Sequence, residues 1–526
     1  MKTGAAGCRL RPKSGGANDA PPECKEDQGA MADFSAQNRS GFNAPTRFEA
    51  TVYDCETIGQ VPSDIAGAFV RVGGEYLYPS KYKDDGPSSD GYISSFRFKN
   101  GRVNYVGKWV KTTHFRNNLA AKKQLYGYYR NPYDDDPSVT DIAHPEKRGV
   151  ANTAPIAHGG KLFALKEDGP PFEVNPDTLE TVGTWDFHGK YKSPTFTAHP
   201  KIDPVSGEMI CYGYEATGPA SNDLWIYSID KTGHVSREWR AKVPYSSMCH
   251  DMALTQKHII FPAGGYVTSI EQMKAHKNHW AWDPHKGSYI GVLPRDGDAK
   301  DMRWFFGPKR CHMHTFNARS EGNKVILEAP FFDDNFLFSM LPTTDGSTYG
   351  RMERAKIRRY VLDLDSKSDQ WSEEILWPMQ VSDLGRVDTR YISLPNRYGF
   401  TGYIDAERPF DEKRGGAMRG RATNIYARFD FRDRKLDNYF VGDVHSLGEC
   451  CFVPRKNSTE EGDGYLIGVA SNFAEMRSEL IIADAKNLAA GDIARVLLPF
   501  RAGALHGVWV EEKELPFGAV NKVMEG

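Results

Sequence analysis

From about residue 45 onward the chain alternates short apolar or aromatic runs with brief polar punctuation, the pattern of strands joined by turns. Lys161-Leu162-Phe163-Ala164-Leu165, Met209-Ile210-Cys211-Tyr212-Gly213-Tyr214 and Leu224-Trp225-Ile226-Tyr227-Ser228 are such runs. His258-Ile259-Ile260-Phe261, Lys324-Val325-Ile326-Leu327, Tyr465-Leu466-Ile467-Gly468-Val469 and Leu480-Ile481-Ile482-Ala483 continue the series. Each is too short for an ordinary helix and rich in residues that pack well on a pleated surface. Turn signals such as Asp203-Pro204-Val205-Ser206-Gly207 and Asp230-Lys231-Thr232-Gly233 stand between them. Helical periodicity is rare, and Ser269 to Lys277 is its best candidate. Many short strands over several hundred residues predict an all-β propeller, a single domain over 41–526, although no repeat of the common propeller kinds is visible.

Composition changes this picture at one end. Residues 1 to about 40 are rich in Gly, Ala, Pro, Ser and charge, with too little apolar content to offset the entropy of ordering, and predict a disordered tail. Among 526 residues, Gly 50, Pro 31 and 12% aromatic residues suit strands and tight turns. A net charge of -2 gives no electrostatic footprint for nucleic acid. No apolar run is long enough for a transmembrane helix, and the N-terminus lacks the apolar stretch of a secretory signal. The eight cysteines show no disulfide framework and read as reduced thiols of a cytoplasmic protein. Cys249 and Cys311, close to two histidines of interest, read as small buried residues rather than thiolate ligands.

Those histidines carry the candidate chemistry. Four short segments hold them: Thr197-Ala198-His199-Pro200, Cys249-His250-Asp251, His314-Thr315-Phe316-Asn317-Ala318 and Leu505-His506-Gly507-Val508-Trp509. Their separations are far too long for a local zinc motif, but they suit a closed ring whose blades each send one imidazole to a common axis. Four neutral imidazoles form a nitrogen site compatible with iron, copper or zinc, so spacing alone leaves the metal open.

The words around the histidines narrow the choice. With Val61-Pro62-Ser63-Asp64-Ile65-Ala66-Gly67-Ala68-Phe69-Val70-Arg71, Asp90-Gly91-Tyr92-Ile93, Asn152-Thr153-Ala154, Ala164-Leu165-Lys166-Glu167 and Asp177-Thr178-Leu179-Glu180-Thr181, the chain resembles the carotenoid cleavage oxygenase family from about Ile58 to Trp509. Within that family it is similar to the stilbene-cleaving branch, especially its fungal resveratrol-cleaving members. The resemblance implies a seven-bladed β-propeller, with loops and short helices capping the metal face, and a non-haem Fe(II) held by His199, His250, His314 and His506. His312 competes for the third place. The family's ligand stands three residues before the Asn of the Asn-Ala word, which selects His314.

The same resemblance implies acidic residues behind the ligands, since ligating imidazoles normally donate their other N–H to a carboxylate or carbonyl. Glu167 and Glu449 match two of them, and the third falls on Asp383, one methylene shorter than the usual Glu. Tyr133 and Lys166 match the pair that binds the substrate's 4′-hydroxyl in the stilbene branch. Neighbouring strand residues point to opposite faces, so Lys166 and Glu167 face inward together only if the Asp168-Gly169-Pro170-Pro171 turn re-aims one of them. Phe331-Phe332-Asp333-Asp334-Asn335-Phe336-Leu337-Phe338 predicts a loop over the metal face, with Phe336 a candidate for packing on stilbene rings. Asp333 and Asp334 argue against stable membrane insertion of that loop.

The resulting expectation is an Fe(2+)- and O2-dependent dioxygenase that cleaves the central C=C of a 4′-hydroxystilbene, such as resveratrol or piceatannol, into two aromatic aldehydes. Carotenoid or apocarotenoid cleavage is the rival within the family, disfavoured because such substrates lack the phenol that Tyr133 and Lys166 would hold. A non-catalytic binding propeller is the rival from another class, in which four ligand histidines have no purpose.

Overall fold

Each apolar run pairs antiparallel with its neighbour in sequence, so the chain builds blade after blade. The computed structural model describes residues 41–80, 86–335, 341–347, 355–416 and 423–518. The tail expected at 1–40 and the candidate Phe336 lie outside the described residues.

The strands form a seven-bladed β-propeller. Blade two contains Ala154–His158, Lys161–Leu165, Phe172–Val174 and Thr181–Thr184; blade three runs from Lys201–Ile202 through Met209–Tyr214 and Asp223–Ile229 to Val235–Lys242. Blade four holds Ala253–Leu254, His258–Gly264, Ser288–Pro294 and Arg303–Gly307, and blade five runs from Asn317–Glu321 to Ser372–Val381. Blade six, with Tyr398–Tyr403, Ile425–Asp430 and Lys435–Phe440, continues blade five's sheet through the single pair Val381 and Tyr403. Blade seven contains His445–Pro454, Gly464–Asn472, Arg477–Asp484 and Asp492–Leu498, with the early strand Thr57–Gly59 at its rim. In blade one the late strand His506–Glu511 pairs with Gly67–Glu75 beside Asp90–Lys99, Arg102–Trp109 and Ala50–Val52. Both chain regions therefore contribute to closing the ring, and each blade keeps only its outermost strand as a sheet edge.

The blades turn apolar faces toward one another. The largest such layer joins Ile226, Phe261, Trp282, Phe316, Ile357 and Phe429 across blades three to six. Each large side chain buried there stabilises the fold by about 1.5–3 kcal/mol. The first strands of the blades instead surround a cavity of about 440 Å³ with mixed polar and apolar walls, lined by Ala154, His199, Lys201, Ala253, Asn317 and Gly507 among others. Residues that begin these strands are thus carried to the axis.

Several sequence runs have the bounds expected, including Lys161–Leu165 and Met209–Tyr214. The helix expected over Ser269 to Lys277 is shorter, Ile270–Lys274, because His276 turns left-handed at φ 55°. Ser269 caps it by accepting from Gln272 N. A second helix, Thr113–Ala121, has little apolar periodicity to announce it and is set by its Thr112 cap and the left-handed Lys122. Among the described residues, no helix is long and apolar enough to cross a membrane.

Candidate metal centre

His199, His250, His314 and His506 come from blades three, four, five and one, and their ring nitrogens lie within 4.8 Å of one another. Nε2 of His250 lies 3.1 Å from Nε2 of both His199 and His314. The opposite ring nitrogens face carboxylates: His250 Nδ1 on Glu167 Oε1, His314 Nδ1 on Asp383 Oδ2 at 2.8 Å, and His506 Nδ1 on Glu449 Oε1 at 2.9 Å. An ionised carboxylate only accepts, so it fixes the tautomer with N–H outward and the Nε2 lone pair inward.

The lone pairs therefore converge on each other. Two acceptors 3.1 Å apart repel, and His506 Nε2 is buried with no partner. Burial opposes the positive charge that a proton would bring: it holds His506 down to about 4, against the pull of Glu449, and His199 well below the usual imidazole range. A metal cation fits this donor set. Nitrogens 3.1 Å apart are close enough to share one cation, whose bonds to imidazole nitrogen run ~2.0–2.1 Å.

Local backbone features aim the carboxylates. Glu449 lies where the ladder between His445–Pro454 and its neighbour shifts register, between Leu447 and Cys450, and such a bulge re-aims a side chain. Burial would raise its carboxyl, but Arg386 and His506 outweigh that and hold it far below its ordinary value. Arg386 donates to Glu449 Oε2 at 2.6 Å and Gly507 N donates to the same oxygen at 2.9 Å. The shorter Asp383 reaches His314 because its backbone comes close. Gly385 N donates to Asp383 O at 2.8 Å, and a Cβ on Gly385 would stand 2.9 Å from the Phe316 ring. Lys166 and Glu167 escape strand alternation together, since the strand ends at Leu165 before either is reached.

The structure sets Lys166 beside Glu167 and over the ring of Tyr129. Lys166 Nζ, on a side chain only 11% exposed, lies 3.9 Å from Glu167 Oε2 and 4.5 Å above the ring of Tyr129. Tyr129 Oη donates to Glu167 Oε2 at 3.4 Å. Tyr133, the expected partner, belongs to the 3-10 turn Pro132–Asp134, with Lys274 Nζ 5.8 Å over its ring. The left-handed Arg130 and the Asn131 cap reverse the chain between the two tyrosines. Asn131 then ties the turn to the short helix by donating to Met273 O and Lys277 O.

His312 lies apart, packed on Phe331 with ring centroids 4.5 Å apart; burial keeps it neutral by lowering its pKa to about 3. Cys249 is buried, which raises its thiol to about 12, and Cys311 lies 3.6 Å from Tyr266 Oη. Neither belongs to the converging set. Arg386, Asp251, Lys201 and Thr315 were not singled out from sequence, although each stands within a few residues of a ligand or an acidic partner.

Behind Tyr129 a buried network fixes the cap. Arg130 donates to Glu167 O at 2.6 Å and Glu215 Oε2 at 2.5 Å, while His279 Nε2 sits 2.9 Å from the same Glu215 oxygen. Burial would raise the Glu215 carboxyl, but His279 and Arg130 hold it at about 2, below its ordinary 4.5. A depressed carboxyl contributes stability above its unfolded pKa and loses it as pH falls through the folded one. Glu215→Gln should therefore cost about 3–5 kcal/mol near neutrality, the usual cost of breaking a buried pair. Urea unfolding should show the gap to the parent narrowing from about pH 5 toward about pH 3.

The retinal pigment epithelial membrane protein family profile matches residues 43–511. The chain is 38% identical over 482 residues to isoeugenol monooxygenase of Pseudomonas putida, covering 91% of this chain and 99% of that one. It is 33% identical over 484 residues to resveratrol cleavage oxygenase 1 of Aspergillus fumigatus, covering 90% and 96%. The crystal structure of Pseudomonas brassicacearum lignostilbene dioxygenase superposes with a TM-score of 0.86 at 34% identity, covering 90% of this chain and 98% of that one.

Proposed function

The chain belongs to the retinal pigment epithelial membrane protein family, the carotenoid oxygenases, and on that premise we propose that it uses iron(II) and dioxygen to cleave the interior C=C of a 4′-hydroxystilbene. It is a carbon–carbon double-bond-cleaving oxygenase by family. The observation that carries the substrate class is Lys166, a nearly buried ammonium over Tyr129 and beside Glu167, one residue removed from a candidate ligand. A carotenoid offers such a cation nothing to bind, whereas a phenol oxygen accepts from it.

Iron(II) held by the four imidazoles would supply the centre at which dioxygen is activated. The protein's own groups then act on the substrate. Lys166 Nζ donates to the 4′-oxygen, and its compact charge favours the phenolate. Tyr133 shares that oxygen through its hydroxyl, as the resemblance assigns, and Tyr129, whose hydroxyl donates to Glu167, is the second candidate. Electron density from the phenolate passes through the ring to the alkene and makes it more reactive toward oxygen. Glu167, Asp383 and Glu449 hold the ligand rings in one tautomer throughout.

A second reading keeps this clamp and shortens the substrate. The relative named isoeugenol monooxygenase points to a 4-hydroxyphenyl propene, which has one aromatic ring instead of two. The test is turnover by iron(II)-loaded protein under 18O2, with aldehydes trapped at once as alcohols. Resveratrol should yield two products carrying one label each. Turnover of isoeugenol with resveratrol untouched would move the assignment to the shorter substrate, and cleavage of a carotenoid alone would overturn the phenol reading.

A further inference from the structure

We infer that Asp251 is a positioning residue that holds three of the four histidine-bearing segments at a common level, an inference that rests on the four-histidine centre proposed above. Those segments open blades three, four and five. Their first strands, Lys201–Ile202, Ala253–Leu254 and Asn317–Glu321, lie in separate sheets, so no backbone ladder ties one to the next.

Asp251 spans all three. It follows His250 directly and is buried, its side chain 1% exposed. Its Oδ1 accepts from Lys201 Nζ at 2.8 Å, two residues beyond His199. Its Oδ2 lies 2.9 Å from both Thr315 N and Thr315 Oγ1, in the residue after His314. Met252 N donates to Oδ1 at 2.7 Å and closes the carboxylate's remaining side. The fourth segment has its own clamp, since Gly507 N and Arg386 both bind Glu449.

A carboxylate suits this place because both oxygens can accept from several donors at once. An amide of the same shape would accept at one atom and aim N–H groups at Lys201 or at Thr315 N. The ion pair with Lys201 is partly offset by desolvation, so its value lies in geometry more than in net stability. The carboxylates on the Nδ1 atoms orient each ring, but they do not fix how far apart the rings begin. That spacing is a backbone property, and nitrogens 3.1 Å apart must keep it against their own repulsion before a cation arrives. Asp251 supplies that restraint through Lys201 and Thr315.

The test uses the full chain and cobalt(II), whose visible d–d bands report ligand geometry without turnover. The parent should take up one cobalt per chain. Asp251→Asn should bind it ten- to hundredfold more weakly in chelator competition, the usual effect of losing an outer-shell partner, with shifted d–d bands. Thr315→Val, which removes one donor, should shift the bands in the same direction with a smaller loss, and Thr315→Ser should restore the parent values. The threonine pair decides the matter if Asp251→Asn fails to fold. Parent affinity and parent bands in Asp251→Asn, or in Thr315→Val, would overturn the inference alone. So would a lowered metal-free melting temperature with unchanged bands, which marks a purely structural role. A parent that takes up no cobalt would overturn the metal centre and this inference with it.

Discussion

Alanine in place of His250 abolishes metal retention and turnover together. His250 is the imidazole whose Nε2 lies 3.1 Å from two others, so its loss removes the nitrogen shared by both close contacts. It also leaves Glu167 buried without its histidine. Losing an outer partner costs about 10–100-fold in metal affinity, and losing a ligand should exceed the upper figure. The same result is expected for His199, His314 and His506. Metal content after gel filtration, with turnover measured beside it, checks all four. His312→Ala is the control. It removes an aromatic contact with Phe331 and lowers stability through a cavity, at about 1–3 kcal/mol, but keeps the metal. Loss of metal from His312→Ala with retention in His314→Ala would reverse the third assignment. A second readout separates a ligand from a packing residue. Metal-free His250→Ala should melt below the metal-free parent, since Glu167 loses its partner and a cavity opens, while added metal raises only the parent.

Methylating the 4′-oxygen of resveratrol should stop cleavage. The ether can neither become a phenolate nor donate, and the Lys166 ammonium is left facing a methyl group. Removing the cation instead gives a graded version of the same result. Lys166→Met keeps most of the stem, so folding and metal content stay near the parent values. The fall should appear in kcat/KM, by about tenfold to hundredfold for a charge-assisted hydrogen bond worth about 1.5–3 kcal/mol. Tyr133→Phe should behave alike, and the double variant should lose less than the sum because both groups act on one oxygen. Tyr129→Phe should fall less, since its hydroxyl already donates to Glu167. Equal turnover of resveratrol and its 4′-methyl ether would end the electron-donation account. A large loss in Tyr129→Phe with none in Tyr133→Phe would move the role to Tyr129.

The contrast between those two tyrosines shows where sequence reading stops. Strands were legible because burial of a pleated face demands short apolar runs, and Lys161–Leu165 needs no distant contact to be recognised. The four histidines were legible as a set because each stands in a distinct word at the head of a blade. Asp383 was legible as a position but not as a contact, because its reach depends on how closely Gly385 lets the backbone approach Phe316. That Tyr129 lies under Lys166 was not legible, because it depends on a chain path through the left-handed Arg130 that no local pattern encodes. Asp251 was hidden for a related reason. Its partners are adjacent to histidines in sequence, but that they meet at one carboxylate is a fact about three blades.

The strand His506–Glu511 closes blade one and also begins with the last of the converging imidazoles. During synthesis His199, His250 and His314 leave the ribosome well before His506. At ~5–20 residues per second, the stretch from His314 to His506 takes roughly 10–40 s to make. Through that interval the nascent chain has three imidazoles and an open ring, so it holds an incomplete donor set. Tight metal capture and ring closure become one event. A chain cut short before residue 506 lacks both the strand that closes blade one and the fourth imidazole.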